Sequence, residues 1–150
     1  SQLLETCRLV ALSAGITDWN LAYQSRSGPA SQPWLEPDIQ EHLRDVAHRK
    51  IKDVVVLPIG FVSDHMEIIY DLDTEAASVA GKVGINFERA LTAGTHPAFI
   101  TMIRELIEER LQDAQERPSQ GTRGASPDFC HPDCCPRPVR PQATTSTASA

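Results

Sequence analysis

The sequence predicts an α/β three-layer domain with a parallel sheet, followed by a tail of different character. Two observations carry the fold. Helix-period and strand-like segments alternate along the first 117 residues, the pattern of helices covering a sheet. The strongest strand, "DVVVLPIGFV" at 53–62, is a continuous apolar run that does not alternate, which predicts cover on both faces as in parallel sheets. A third observation divides the chain. From Pro118 onward lie six of its eleven prolines and three of its four cysteines, with no Leu or Ile. The expected organisation is therefore a domain at 1–117 and a Pro/Cys-rich tail at 118–150 that is disordered unless something such as a metal pins it.

Residues 2–14 place Leu3, Leu4, Cys7, Val10, Ala11 and Ala14 at helical spacing, and Gly15 supplies the stop. "WNLAYQS" follows, with Trp19, Leu21 and Tyr23 alternating as in a strand. A Ser/Gly/Pro-rich loop, "SRSGPASQPWLEP", runs to Pro37. The next helix, about 38–50, puts Ile39, Leu43, Val46 and Ala47 on one side. After the 53–62 strand the pattern predicts a helix over 64–80 and a short strand or loop around "GINFERAL". A last amphipathic helix, about 97–115, should turn Phe99, Ile103, Leu106, Ile107 and Leu111 inward. The pattern opens on a helix, so the expectation is the C-terminal part of a longer protein, or a domain lacking a strand that a first half supplies.

Composition narrows the function. A net charge of −6 argues against nucleic-acid or anionic-membrane partners. No apolar run approaches the roughly 20 residues of a bilayer span. The first residues lack a basic region and a cleavage site, which points to a cytoplasmic protein whose thiols stay reduced.

The chemistry concentrates in "LPIGFVSDHMEIIYDLDTEA", 57–76, which passes from strand into acids. On a helix Glu67, Asp71 and Glu75 form one row at i, i+4 and i+8, with Asp64 and Asp73 nearby. Such a row is either a solvated face or a path for a divalent cation, since carboxylates and imidazole suit Fe²⁺, Mg²⁺ or Mn²⁺. His65 sits at the strand-to-helix turn, where ligands of α/β folds bind; on the residues alone it serves equally as a structural histidine.

This stretch resembles the signature of ferrochelatases, the lyases that insert Fe²⁺ into a porphyrin. "YQSRSGPASQPWLEPDI", 23–39, is similar to a second block of that family, and the helix after "THPAF" fits the family's end. The resemblance covers about 1–115 and implies the second half of a Rossmann-like, chelatase-like enzyme of two domains, with porphyrin bound in the cleft between them. It further implies His65 and Glu67 as catalytic groups at the cleft, and Glu67, Asp71 and Glu75 as the metal path. Trp34, Tyr70 and Arg26 would approach the macrocycle or a propionate; on the residues alone, Trp34 serves equally as a core or loop anchor and Arg26 as a brace for the loop. The substrates implied are Fe²⁺ and a porphyrin, coproporphyrin III for a bacterial enzyme with a cysteine-bearing tail, or protoporphyrin IX. The missing N-terminal half, carrying a metal-binding histidine, is the implied partner.

In the tail, "DFCHPDCCPRP" holds Cys130, Cys134 and Cys135. The resemblance implies three ligands of a [2Fe–2S] cluster, which takes four thiolates; a Zn²⁺ site completed by His131 and plain mobile thiols are the alternatives. For the whole chain, the rival readings are a related cobalt chelatase and a metal- or cluster-binding module without turnover.

Overall fold

The first helix, α1, spans Gln2–Ser13 and ends where Gly15 takes a left-handed conformation (φ +69°), as its spacing predicts. These elements come from a computed structural model that describes residues 2–26, 28, 29, 31 and 33–135. Contacts divide the chain into two compact units, Ser1–Arg117 and Pro118–Ala150. All regular structure discussed below belongs to the first.

Helix α2, Ile39–His48, starts at Asp38, whose carboxylate accepts from the Gln40 amide at 2.8 Å and satisfies one of the orphan donors of the first turn. It is strongly amphipathic and buries Ile39, Leu43 and Val46. Strand β1 is Asp53–Val56 and β2 is Asn86–Arg89. They pair in parallel, Asp53 opposite Asn86 through Val56 opposite Arg89, as a two-stranded sheet. The connection between them is helical throughout: α3 (Met66–Ile68), a π-helix (Ile69–Ala76) and α4 (Ala77–Val83). This is a βαβ unit, so the α/β class with a parallel sheet holds. Gly84, at φ +78°, closes α4 in the left-handed region and turns the chain into β2.

The core lies between α2 and the helical connection. Leu43, Ile68 and Leu72 are its largest fully buried side chains, joined by Val46, Ala76, Val79, Ala80 and Ile85. Ile68, Leu72 and Ala76 recur every four residues, so one row of the connection faces inward. Truncating any of the three large side chains to alanine costs about 2–5 kcal/mol.

Three expectations are corrected. Residues 19–23 do not form a strand; the segment makes one isolated parallel bridge, Tyr23 with Asp38, because a strand needs a continuous partner and none lies alongside it among the described residues. The 53–62 run yields a four-residue strand covered on one face: Val54 and Val56 pack on the core, whereas Val55 is 73% exposed. Helix α5, Pro97–Leu111, forms where expected, but none of its residues is buried. Its apolar positions Ile103, Leu106, Ile107 and Leu111 are exposed, since no described element covers that face. The 86–89 segment, ambiguous in sequence, is a strand. The tail expectation falls partly on 136–150, outside the described residues.

Candidate functional site

Strand β1 ends in "LPIG", and the chain turns through 61–65 into α3. This places His65 and Glu67 at the carboxyl end of the sheet, where α/β folds bind ligands. His65 is the N-cap of α3 but makes no side-chain cap bond; its imidazole meets the Phe61 ring edge-to-face, centroids 5.2 Å apart at 74°. Glu67 follows in the first helical turn, exposed, and among the described residues no hydrogen bond or ion pair engages its carboxylate. Exposed apolar and aromatic side chains flank it: Met66 (79%), Ile69 and Tyr70 (55%).

Behind Glu67 the helix widens. From Ile69 to Ala76 the backbone is a π-helix, and the Ala77 amide donates to Leu72 O, five residues back. Such turns are rare and concentrate at functional sites. The acid row lies one position before the buried row of Ile68, Leu72 and Ala76, so it runs along the edge of the packed face. Each further acid is held. The Ser25 hydroxyl donates to Asp71 Oδ2, and Gln40 Nε2 of α2 donates to Glu75 Oε2 at 3.4 Å. Asp71 is half-buried and Glu75 exposed. The row is a ladder along the helix; among the described residues no three His, Cys, Asp or Glu side chains converge on a single metal position.

Asp73 and Asp64, off the row, are held by a residue that the sequence reading passed over. Arg89, at the carboxyl end of β2, donates from Nη2 to Asp73 Oδ2 at 2.9 Å and from Nη1 to Asp64 Oδ1 at 2.6 Å. Its side chain is only 12% exposed. The hydrogen bond to Asp73 is the largest cause holding the guanidinium pKa above its ordinary value, with burial working against it and the nearby carboxylate charges adding to it. Arg89 thus ties the turn bearing His65 to the π-helix. The signal was a lone basic residue at the end of a short strand facing a helix with four acids.

The remaining candidates are dispersed. Arg26 is exposed on the loop after Ser25. Trp34 is half-buried, with its indole Nε1 buried and unpartnered among the described residues. In the second unit, Cys130, Cys134 and Cys135 are exposed free thiols; the Cys134 and Cys135 sulfurs lie 3.4 Å apart. The hydrogen bond to Cys135, then that to Cys130, pushes the Cys134 thiol up, toward the protonated form. Three thiols fall one short of a four-thiolate cluster, and the other thiol, Cys7, is buried on α1 in the first unit. These residues therefore do not by themselves complete a cluster site.

Among the described residues no helix is long and apolar enough to cross a membrane. Comparison with known proteins agrees with the motifs. The ferrochelatase family model matches residues 1–111. A ferrochelatase of Rhodopirellula baltica is 53% identical over 135 residues, 89% of this chain and 38% of that protein. Coproporphyrin III ferrochelatases of Nocardia farcinica (44% identical; 95% of this chain, 42% of the relative) and Streptomyces griseus (47%; 83% and 35%) match similarly. The chain thus spans about two fifths of the length of these relatives. With the family model covering most of the chain and both motif blocks inside it, the chain belongs to the ferrochelatase family.

Proposed function

We propose that this chain supplies the acid-bearing wall of a ferrochelatase, which inserts Fe²⁺ into coproporphyrin III. The observation carrying the reading is the contrast between Glu67 and the acids behind it. Glu67 is exposed beside Met66, Ile69 and Tyr70, a surface suited to a flat apolar macrocycle, while Asp71 and Glu75 are held by Ser25 and Gln40. Metallation must remove two pyrrole protons while a hydrated cation sheds water, so a base is needed at the ring. Glu67 serves as that base, with His65 beside it. Asp71 and Glu75, spaced along the helix, pass protons or cations away from or toward it. Trp34 and Tyr70 contact the macrocycle and Arg26 pairs with a propionate. The names of the Nocardia and Streptomyces relatives support coproporphyrin III as the porphyrin. The remaining part of the enzyme supplies the opposite wall.

In the tail, Cys130, Cys134 and Cys135 give three ligands of a [2Fe–2S] cluster whose fourth thiolate comes from elsewhere in the complete protein. The complete protein, purified anaerobically, should then absorb in the visible, and Cys134→Ser should bleach it; a colourless complete protein removes the cluster.

The catalytic test replaces the matched stretch of the Rhodopirellula ferrochelatase with this chain and follows anaerobic loss of coproporphyrin III fluorescence on adding Fe²⁺, with protoporphyrin IX in parallel. Glu67→Gln should slow metallation at least 100-fold, the loss expected when a general base is removed. An unchanged rate would exclude Glu67 as the base.

A further inference from the structure

The segment that carries His65 and Glu67 does little to hold itself in place. Glu67 has no hydrogen bond or ion pair among the described residues, and His65, the N-cap of α3, makes no side-chain cap bond. Helix α3 is three residues long, and so short a helix is not stable on its own. One side chain brackets the segment from outside. Asp64, immediately before His65, accepts from Arg89 Nη1 at 2.6 Å. Asp73, beyond Glu67 in the π-helix, accepts from Arg89 Nε and, at 2.9 Å, from Nη2. We propose that Arg89 is a positioning residue for metal insertion: through Asp64 it sets His65 and Glu67, and through Asp73 it sets the acid row. The inference rests on the reading of this chain as the acid-bearing wall.

Arg89 is a fixed point because the sheet holds it. It closes β2 in register with Val56, and the next amide, that of Ala90, donates to Val56 O at 2.9 Å. The side chain is mostly covered. A guanidinium is planar, so engaging one carboxylate with two nitrogens and a second with the third fixes how far apart the two carboxylates lie. The chain after Arg89 adds to the hold on the turn. The Thr92 amide donates to the same Asp64 oxygen at 3.4 Å, and the Gly94 amide to Val62 O at 2.8 Å. The turn before α3 thus rests on the end of β2 and the residues after it. At the other end of the bracket, Asp73 lies in the π-helix two residues after Asp71, so its tether helps fix how Asp71 meets the Ser25 hydroxyl.

The two arms have separable consequences. Proton abstraction depends steeply on geometry, and a misplacement of about 1 Å can cost on the order of 100-fold in rate. Apolar contact with a macrocycle is non-directional and tolerates a small shift of Met66, Ile69 and Tyr70. Loss of the Asp64 arm therefore lowers kcat and leaves the porphyrin KM in place. Loss of the Asp73 arm disturbs the row that handles the cation and raises the KM for Fe²⁺.

The test uses the chimera with the Rhodopirellula ferrochelatase. Arg89→Met should lower kcat by about tenfold or more with the porphyrin KM unchanged within about twofold. Asp64→Ala should reproduce the fall in kcat, and Asp73→Ala the rise in the KM for Fe²⁺. Added to Glu67→Gln, Arg89→Met should cost less than about twofold more, because the base it positions is already gone. Losses that multiply in full, a porphyrin KM that rises in step with the fall in kcat, or an unchanged kcat beside a slowed Glu67→Gln would each overturn the inference. Amide exchange reads the bracket without turnover. The Ile69 amide donates to His65 O at 3.1 Å and should exchange about tenfold faster in Arg89→Met, while the His42 amide, 2.9 Å from Asp38 O in α2, keeps its rate. Equal acceleration at both amides would show general loosening and overturn the inference. If Glu67→Gln alone leaves the rate unchanged, the reading of Glu67 as base falls, and the exchange at Ile69 decides whether Arg89 holds the turn.

Discussion

The Ser25 hydroxyl donates a hydrogen bond to the Asp71 carboxylate, joining the loop that follows the 19–24 segment to the π-helix forty-six residues later. Ser25 is also held at φ +57°, a region that non-glycine residues seldom occupy. Ser25→Ala should therefore cost about 1.5–3 kcal/mol, the loss typical of a hydrogen bond to a charged group. Ser25→Gly loses the same bond but sheds roughly 1 kcal/mol of backbone strain, so it should unfold at higher urea than the alanine variant. Midpoints equal to wild type in both would show that the bond contributes nothing.

Arg89 bridges Asp64 and Asp73, carboxylates that are 30% and 36% exposed. Because water screens the partners, Arg89→Met should cost about 1–2 kcal/mol rather than the 3–5 of a fully buried pair. Arg89→Lys should recover little of it, since a point charge cannot address two carboxylates with a planar fork. Chemical denaturation measures both. The guanidinium pKa is raised, so Arg89 stays charged and its contribution is fully present throughout pH 6 to pH 9, where stability should not change on its account.

Gly81 and Gly84 should respond in opposite directions. A methyl group at either meets nothing within 4 Å. Gly81 lies inside α4, so Gly81→Ala should stabilise by about 0.5–1 kcal/mol through helix propensity. Gly84 sits at φ +78°, so Gly84→Ala should destabilise by about 1 kcal/mol. Thermal melts of the two variants read the difference.

Burial raises the Cys7 thiol from its ordinary value of 9.0, so the folded state holds that proton more tightly than the unfolded chain. The contribution to stability is complete below pH 9 and declines as pH rises beyond it. Cys7→Ala should remove this alkaline loss. In the native 150-residue chain, with no cluster bound, a thiol reagent at pH 8 should label the exposed Cys130, Cys134 and Cys135 before Cys7, which reacts only on unfolding. Four equally fast thiols would contradict the burial of Cys7.

What the sequence determined by itself was local. The helix start at Asp38 and stop at Gly15, the core faces of Leu43 and Val46, and the acid row follow from capping chemistry and periodicity, which neighbouring residues decide. Tertiary structure decided whatever needs a partner from elsewhere in the chain. The alternation of Trp19, Leu21 and Tyr23 is strand-like, but a ladder forms only beside another strand, and one bridge at Tyr23 is what the available neighbours allow. The apolar stripe of α5 is helical by propensity and remains uncovered because burial requires a facing surface. The π-turns at Ile69–Ala76 and the reach of Arg89 to Asp64 and Asp73 likewise came from long-range contacts, since a four-residue spacing serves an α-helix and a π-helix alike and an ion pair depends on where strand β2 ends.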